Sequence, residues 1–234
     1  MTVPWHRRKP NLLHEVQEDV ERFCDSLHVL VEGDQVTIRG SFPVRHQGEE
    51  FDRYAITVAF PPDYPDSLPT VREVGGRIPW VGDHHVYTNG VACVILPEAR
   101  WWEFPPHTRF FEYLRGPLHN YFLGQTVVSS GQPWPFGEHR HGLNGIMDFY
   151  AEQLGTTESR LIIRLLESVA SGVCRGHLPC PCESGITTRR CHPRLIALAQ
   201  KMPPWAVRKS LNYIYKMADQ AKTQLAVPNK VEPS

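Results

Sequence analysis

This 234-residue chain has little of what would place it at a glance. No apolar run approaches the roughly 20 residues that span a bilayer, so no membrane-crossing helix is expected. Charge of either sign is not in excess. The 25 Lys and Arg balance 25 Asp and Glu, which argues against a chain-wide footprint for nucleic acid or polyphosphate but leaves room for a local basic patch, for instance around Arg189 and Arg190. No internal repeat or low-complexity tract is present, which excludes a solenoid. The opening MTVPWHRRKPN has charges but no apolar core behind them. It therefore does not read as a secretory leader, and a cytoplasmic location is the expectation. Cysteine is scarce as well. Three of the six lie within twelve residues, at Cys180, Cys182 and Cys191, a spacing that suits a metal clip better than a disulfide framework.

What is present can build a core, since 41% of residues are hydrophobic. Leu12, Leu13, Val16, Val20, Phe23 and Leu27 keep helical spacing, with Asn11 as N-cap. Two β-rich runs flank Gly33-Asp34 and predict a hairpin. Tyr54, Ile56, Val58 and Phe60 alternate as in a half-buried strand. Pro61, Pro62, Pro65 and Pro69 make a stiff turn region before a short strand at 70–74. Residues 109–123 read as helix interrupted at Gly116-Pro117, and 124–137 as loop. Helices follow at 143–154, at 158–173 with Leu161, Ile162, Leu165, Leu166 and Val169 on one face, from Pro193, and at 205–222 with Leu211, Ile214, Tyr215 and Ala218 together. The expected class is α+β: an N-terminal helix, a small antiparallel meander and helices behind it, with a helical extension. The expected domains are 1–155, then 156–225 with a metal motif at 180–192, then a frayed tail over 226–234.

Cys180, Cys182, Cys191 and His192 form a C-x-C-x8-C-H pattern. Four thiolate or imidazole donors in thirteen residues suit tetrahedral zinc, and with all four positions filled by protein the ion would be structural. Gly185 allows a left-handed turn between the pairs. The plain alternative is four unrelated residues. Cys174, upstream, reads as helix-end packing, as does Cys24 in the first helix. The segment closely resembles the SEC-C motif, which implies zinc binding and a docking role. That family usually has Gly where Glu183 stands.

Cys93 is the chemically suggestive cysteine. A thiol can accept an acyl group as a thioester and hand it to an amine, given access and a donor that steadies the oxyanion. His84 or His85 could be that donor. Against this, Val91, Ala92, Val94, Ile95 and Leu96 flank it, and free cysteines are often core. Residues 134–142 are dense in polar groups. There His139 and His141 could act as general acid or base, although capping or bridging the next helix is the favoured reading. Trp101 and Trp102 read as a lid on the core.

The stretch YAITVAFPPDYPDSLPTV resembles the strand-to-turn segment of ubiquitin-conjugating enzymes. Gly90, three residues before Cys93, and Trp101, eight after it, match that family's spacings. Its His-Pro-Asn triplet aligns with Asp83-His84-His85, so His85 stands where the family has its asparagine. The divergence is typical of bacterial members, which also carry Gly-Glu then His-Gly strings after the cysteine domain. Noncatalytic variants of the fold lack the cysteine that this chain keeps. The resemblance, over about residues 11–123, implies a ubiquitin-conjugating fold and a transferase. Cys93 would take the C-terminus of a ubiquitin-like modifier, or of another protein, from an activating enzyme and pass it to an amine on a protein target. It further implies a prokaryotic conjugation operon. Some of these serve anti-phage defence by acting on a cyclic-oligonucleotide synthase. Two other readings stay open: an inactive scaffold of the same fold, and a Cys-His hydrolase of modifier conjugates.

Overall fold

The computed structural model describes residues 3–136, 140 and 142–225, with side chains to residue 220. The chain divides into two compact units, Met1–Glu138 and His139–Ser234. The helix Gly142–Leu154, expected to close the first unit, groups with the second, because its apolar face packs on the helices Ser159–Ala170 and Pro193–Lys201.

The first unit is α+β. Helices α1 (Trp5–Arg8) and α2 (Pro10–Phe23) precede strands β1 (Leu27–Glu32), β2 (Gln35–His46), β3 (Glu49–Ala59) and β4 (Thr70–Glu73). The strands form one antiparallel sheet in sequence order, a meander. Pro10 takes the first helical position of α2, where its missing N–H costs nothing, so Lys9 and not Asn11 is the N-cap. Leu27, expected on the helix, is buried in β1 instead, because the backbone turns extended at Cys24. The hairpin at Gly33-Asp34 is as expected, with Glu32 paired to Gln35.

Side chains alternate across the sheet as the period of two requires. Val36, Ile38 and Phe42 of β2 and Tyr54, Ile56 and Val58 of β3 are at most 2% exposed. Phe42 and Tyr54 are register partners, and Phe122 lies 5.2 and 4.8 Å from their rings. Phe122 belongs to α5 (His119–Ser129), which follows the short helices α3 (Arg100–Glu103) and α4 (Phe110–Tyr113). Between α4 and α5 the expected break at Gly116-Pro117 is a π-helical turn, Leu114–Leu118. Pro117 lacks a donor, and the wider hydrogen-bond register absorbs the loss without ending the helix. Residues 124–129, expected as loop, continue α5. Gly124 is a packing requirement there, since a Cβ would fall 2.5 Å from the Trp134 ring. The buried Asp19 carboxylate ties α2 to α4, accepting from Arg109 Nη2 (2.7 Å) and the Phe111 N–H (3.1 Å).

The second unit is helical: α6 (Gly142–Leu154), α7 (Ser159–Ala170), α8 (Thr188–Cys191), α9 (Pro193–Lys201) and α10 (Pro204–Leu225). Ile162, Leu165, Leu166 and Val169 of α7 are buried, as are Val207, Leu211 and Ile214 of α10, which packs on α7. Tyr215, expected beside them, is exposed and donates to Glu167. Among the described residues no helix is long and apolar enough to cross a membrane.

Candidate functional site

The approach to Cys93 is built by side chains that accept or cover backbone. Beyond β4, the Glu73 carboxylate accepts from the Gly75, Arg77 and Ile78 N–H groups at 2.6, 2.9 and 3.3 Å, folding the turn that leads to Trp80. A 3₁₀ turn over Gly82–His84 then ends at His85 in the left-handed region (φ 52°, ψ 40°), which Asn, Asp and His enter more readily than bulkier residues. The chain reverses, and Val86 bridges Ala92 antiparallel. The Ala92 N–H donates to Val71 of β4 at 2.8 Å and the Cys93 N–H to the His85 carbonyl at 2.7 Å, so backbone alone fixes where Cys93 sits. Gly90 makes the reversal possible. Its φ is 79°, and a Cβ would meet the Trp80 ring at 2.7 Å.

In this hairpin Tyr87 and Cys93 share a face, and the Tyr87 hydroxyl donates to Cys93 Sγ at 3.4 Å. The thiol is half-buried. Burial pushes its pKa up, the Tyr87 hydrogen bond pulls it down, and the Glu98 charge pushes it up again, with a net rise. His84 is engaged elsewhere. Gln125, 2% exposed on α5, donates to the His84 carbonyl at 2.6 Å, and its Oε1 lies 3.0 Å from His84 Nδ1. An amide oxygen can only accept, so Nδ1 carries the proton and Nε2 is the basic nitrogen. Tyr121 also donates to the His84 carbonyl. The His85 ring packs against Trp134, tilted at 44° with centroids 4.3 Å apart. Trp101 is buried. The Arg100 guanidinium sits 4.7 Å over the Trp101 ring and donates to the Pro65 carbonyl.

Cys93, His84, His85, Gly90 and Trp101 therefore belong to one constructed segment, with both histidines anchored to α5 or Trp134. His139 and His141 lie outside the described residues. Sequence reading missed Tyr87, Gln125 and Trp134. Only Tyr87 left a signal: once Val86 is opposite Ala92, residues 87 and 93 fall on the same side.

The second unit holds the other candidate. The donor atoms of Cys180, Cys182, Cys191 and His192 all lie within 4.8 Å of one another. Cys180 Sγ is 3.1 Å from His192 Nδ1, and Cys182 Sγ is 3.4 Å from Cys191 Sγ. A tetrahedral zinc with bonds of about 2.3 Å to sulfur needs donor separations of about 3.8 Å, which these distances bracket. The Cys pair sits on a hairpin closed by the Pro179–Thr187 bridge, and Cys191 and His192 end α8 just before α9. Gly185 has φ 79°, as expected. Glu183 has φ 64°, in the left-handed region that Gly enters most freely. Hydrogen bonding, first from Ser184, brings the Cys182 thiol down to about 6, while burial foremost pushes Cys180 up to about 12. One thiolate is thus nearly ready, and the other would be released by the metal's own charge. Cys174 is half-buried on the segment after α7.

No family model matches this chain, and no curated protein or solved structure matches it either.

Proposed function

We propose that the first unit is a ubiquitin-conjugating-like carrier in which Cys93 holds a modifier's C-terminus as a thioester. The observation that carries the reading is the loop built around a half-buried free thiol. Its amide is held by His85, its sulfur meets the Tyr87 hydroxyl, and Gly90 and Trp101 stand at the family's spacings. In the reaction, Cys93 Sγ attacks the carbonyl of a thioester supplied by an activating enzyme. The new S–C bond replaces the old one, and the activating enzyme's thiol leaves with a proton. A target amine then attacks, the amide forms, the amine loses its proton and Cys93 departs as thiolate. The left-handed His85, at the family's asparagine position, braces the loop through its carbonyl and its ring contact with Trp134. In the second unit the four donors hold one structural zinc, which clips the hairpin to α9 and leaves no open position for catalysis.

The cognate activating enzyme and modifier, with ATP, test this on a non-reducing gel. A thiol-labile adduct lost in Cys93→Ala supports the carrier. Its absence with the true partners leaves a scaffold, and ATP-independent cleavage of a modifier fusion indicates a hydrolase.

A further inference from the structure

The zero net charge of the chain conceals a segregation. Residues 139–234 carry thirteen Lys and Arg against seven Asp and Glu, whereas residues 1–138 carry twelve against eighteen. The second unit is therefore net basic, as a polyanion partner requires.

Within that unit α10 carries four of the thirteen cations against one acid. Helix α10 buries Val207, Leu211 and Ile214 against its neighbours. Its opposite face, spaced by threes and fours, presents Trp205, Arg208, Lys209, Asn212, Tyr213 and Lys216, all exposed. Trp205 and Tyr213 are 43% and 39% exposed, and they alternate with cations along the stripe. Asp219, the single acid of α10, comes after it. Arg208 is held in place by donating to the Ala170 carbonyl at the end of α7 (2.6 Å), which spends one of its five N–H groups.

We propose that this face of α10 binds single-stranded nucleic acid, a role separate from Cys93. Cations track phosphates, and exposed rings give unpaired bases a surface on which to stack, the two components of sequence-tolerant strand binding. Trp205 and Tyr213 are eight residues apart, about 12 Å along the helix at 1.5 Å per residue, which gives separate bases separate rings. An acidic peptide would use the cations but leave the rings without a role. A membrane surface would need the apolar face of the helix, and that face is already buried.

The test is fluorescence anisotropy of the full-length, zinc-loaded protein with a labelled oligothymidine of about 20 nucleotides. Parallel arms use a duplex of the same length, polyglutamate, and phosphatidylserine vesicles. Single-strand binding should weaken as salt rises. Trp205→Ala and Tyr213→Ala should each weaken it about tenfold, while Tyr213→Phe, which keeps a ring, stays within about twofold of the wild type. Lys209→Ala with Lys216→Ala should lower the slope of log K against log salt by about 1.4, or 0.7 per lost phosphate contact. Cys93→Ala should bind as the wild type does. If Trp205→Ala also lowers the melting temperature, the Tyr213 pair of variants decides. The proposal is overturned by absence of salt-dependent binding, by binding indifferent to both rings, or by polyglutamate, duplex or vesicles binding as tightly as the single strand.

Discussion

Replacing Tyr87 with Phe keeps the ring, which is 49% exposed, and removes the hydroxyl that donates to Cys93 Sγ. A hydrogen bond to a charged group contributes roughly 1.5–3 kcal/mol when well shielded, and solvent exposure reduces it here to about 1 kcal/mol. Without it the thiolate loses that stabilisation, so the Cys93 thiol, already raised by burial, should rise further. At neutral pH that means less thiolate, offset in part by the greater nucleophilicity of a more basic thiolate, and about twofold slower alkylation of Cys93 by iodoacetamide, read at the Cys93 peptide by mass spectrometry. The rate should climb with pH and reach half its plateau above the ordinary thiol value of about 8.5 in the wild type, and higher still in Tyr87→Phe. The linkage sign agrees. A thiol whose folded pKa exceeds its unfolded one favours the fold below the unfolded pKa, so that contribution is lost as pH rises through the folded value. A Cys93 that titrates at or below 8.5, or a Tyr87→Phe profile that overlays the wild type, would refute the reasoning.

Asp52 makes the opposite pH prediction. The Arg77 hydrogen bonds first, then those from Thr126 and the Arg53 amide, hold its carboxyl down at about 2 against the cost of burial. Its stabilisation is present above the unfolded pKa and is lost as pH falls toward 2. Asp52→Asn should cost about 1–2 kcal/mol in urea unfolding at pH 7, the gap to wild type closing near pH 2. Gly90→Ala should lose about 1–3 kcal/mol, since it adds strain at positive φ to a clash with Trp80, and an unchanged urea midpoint would contradict that. Elemental analysis should find about one zinc per chain, absent from the Cys180→Ser, Cys182→Ser double variant. Chelation should lower the melting temperature, and an indifferent melt would remove the structural role.

The legible parts of the fold are those in which a local rule and the packing agree. The alternation of Tyr54, Ile56 and Val58, the Gly33-Asp34 turn and Pro193 at the start of α9 each carry their structure in a few neighbouring residues. The cluster of Cys180, Cys182, Cys191 and His192 was equally legible, because two tight turns bring the four together without help from distant chain. Misreadings came where spacing continued past a backbone change, as at Leu27, or where a helix breaker had a tertiary reason. Gly124 makes room for Trp134, and Pro117 is absorbed by a π turn. At Cys93 the sequence marked the cysteine, Gly90 and Trp101. It could not mark Gln125, which acts on His84 from 41 residues away.

Intact-mass spectrometry of the full-length protein, after incubation with its activating enzyme, modifier and ATP, tests the carrier reading most directly. The account predicts one added mass equal to the modifier less one water. Thiol reagents should release it, Cys93→Ala should abolish it, and Cys93→Ser should convert it to a thiol-stable ester. A protein that stays unmodified beside a fully charged activating enzyme, or an adduct that survives in Cys93→Ala, would contradict it.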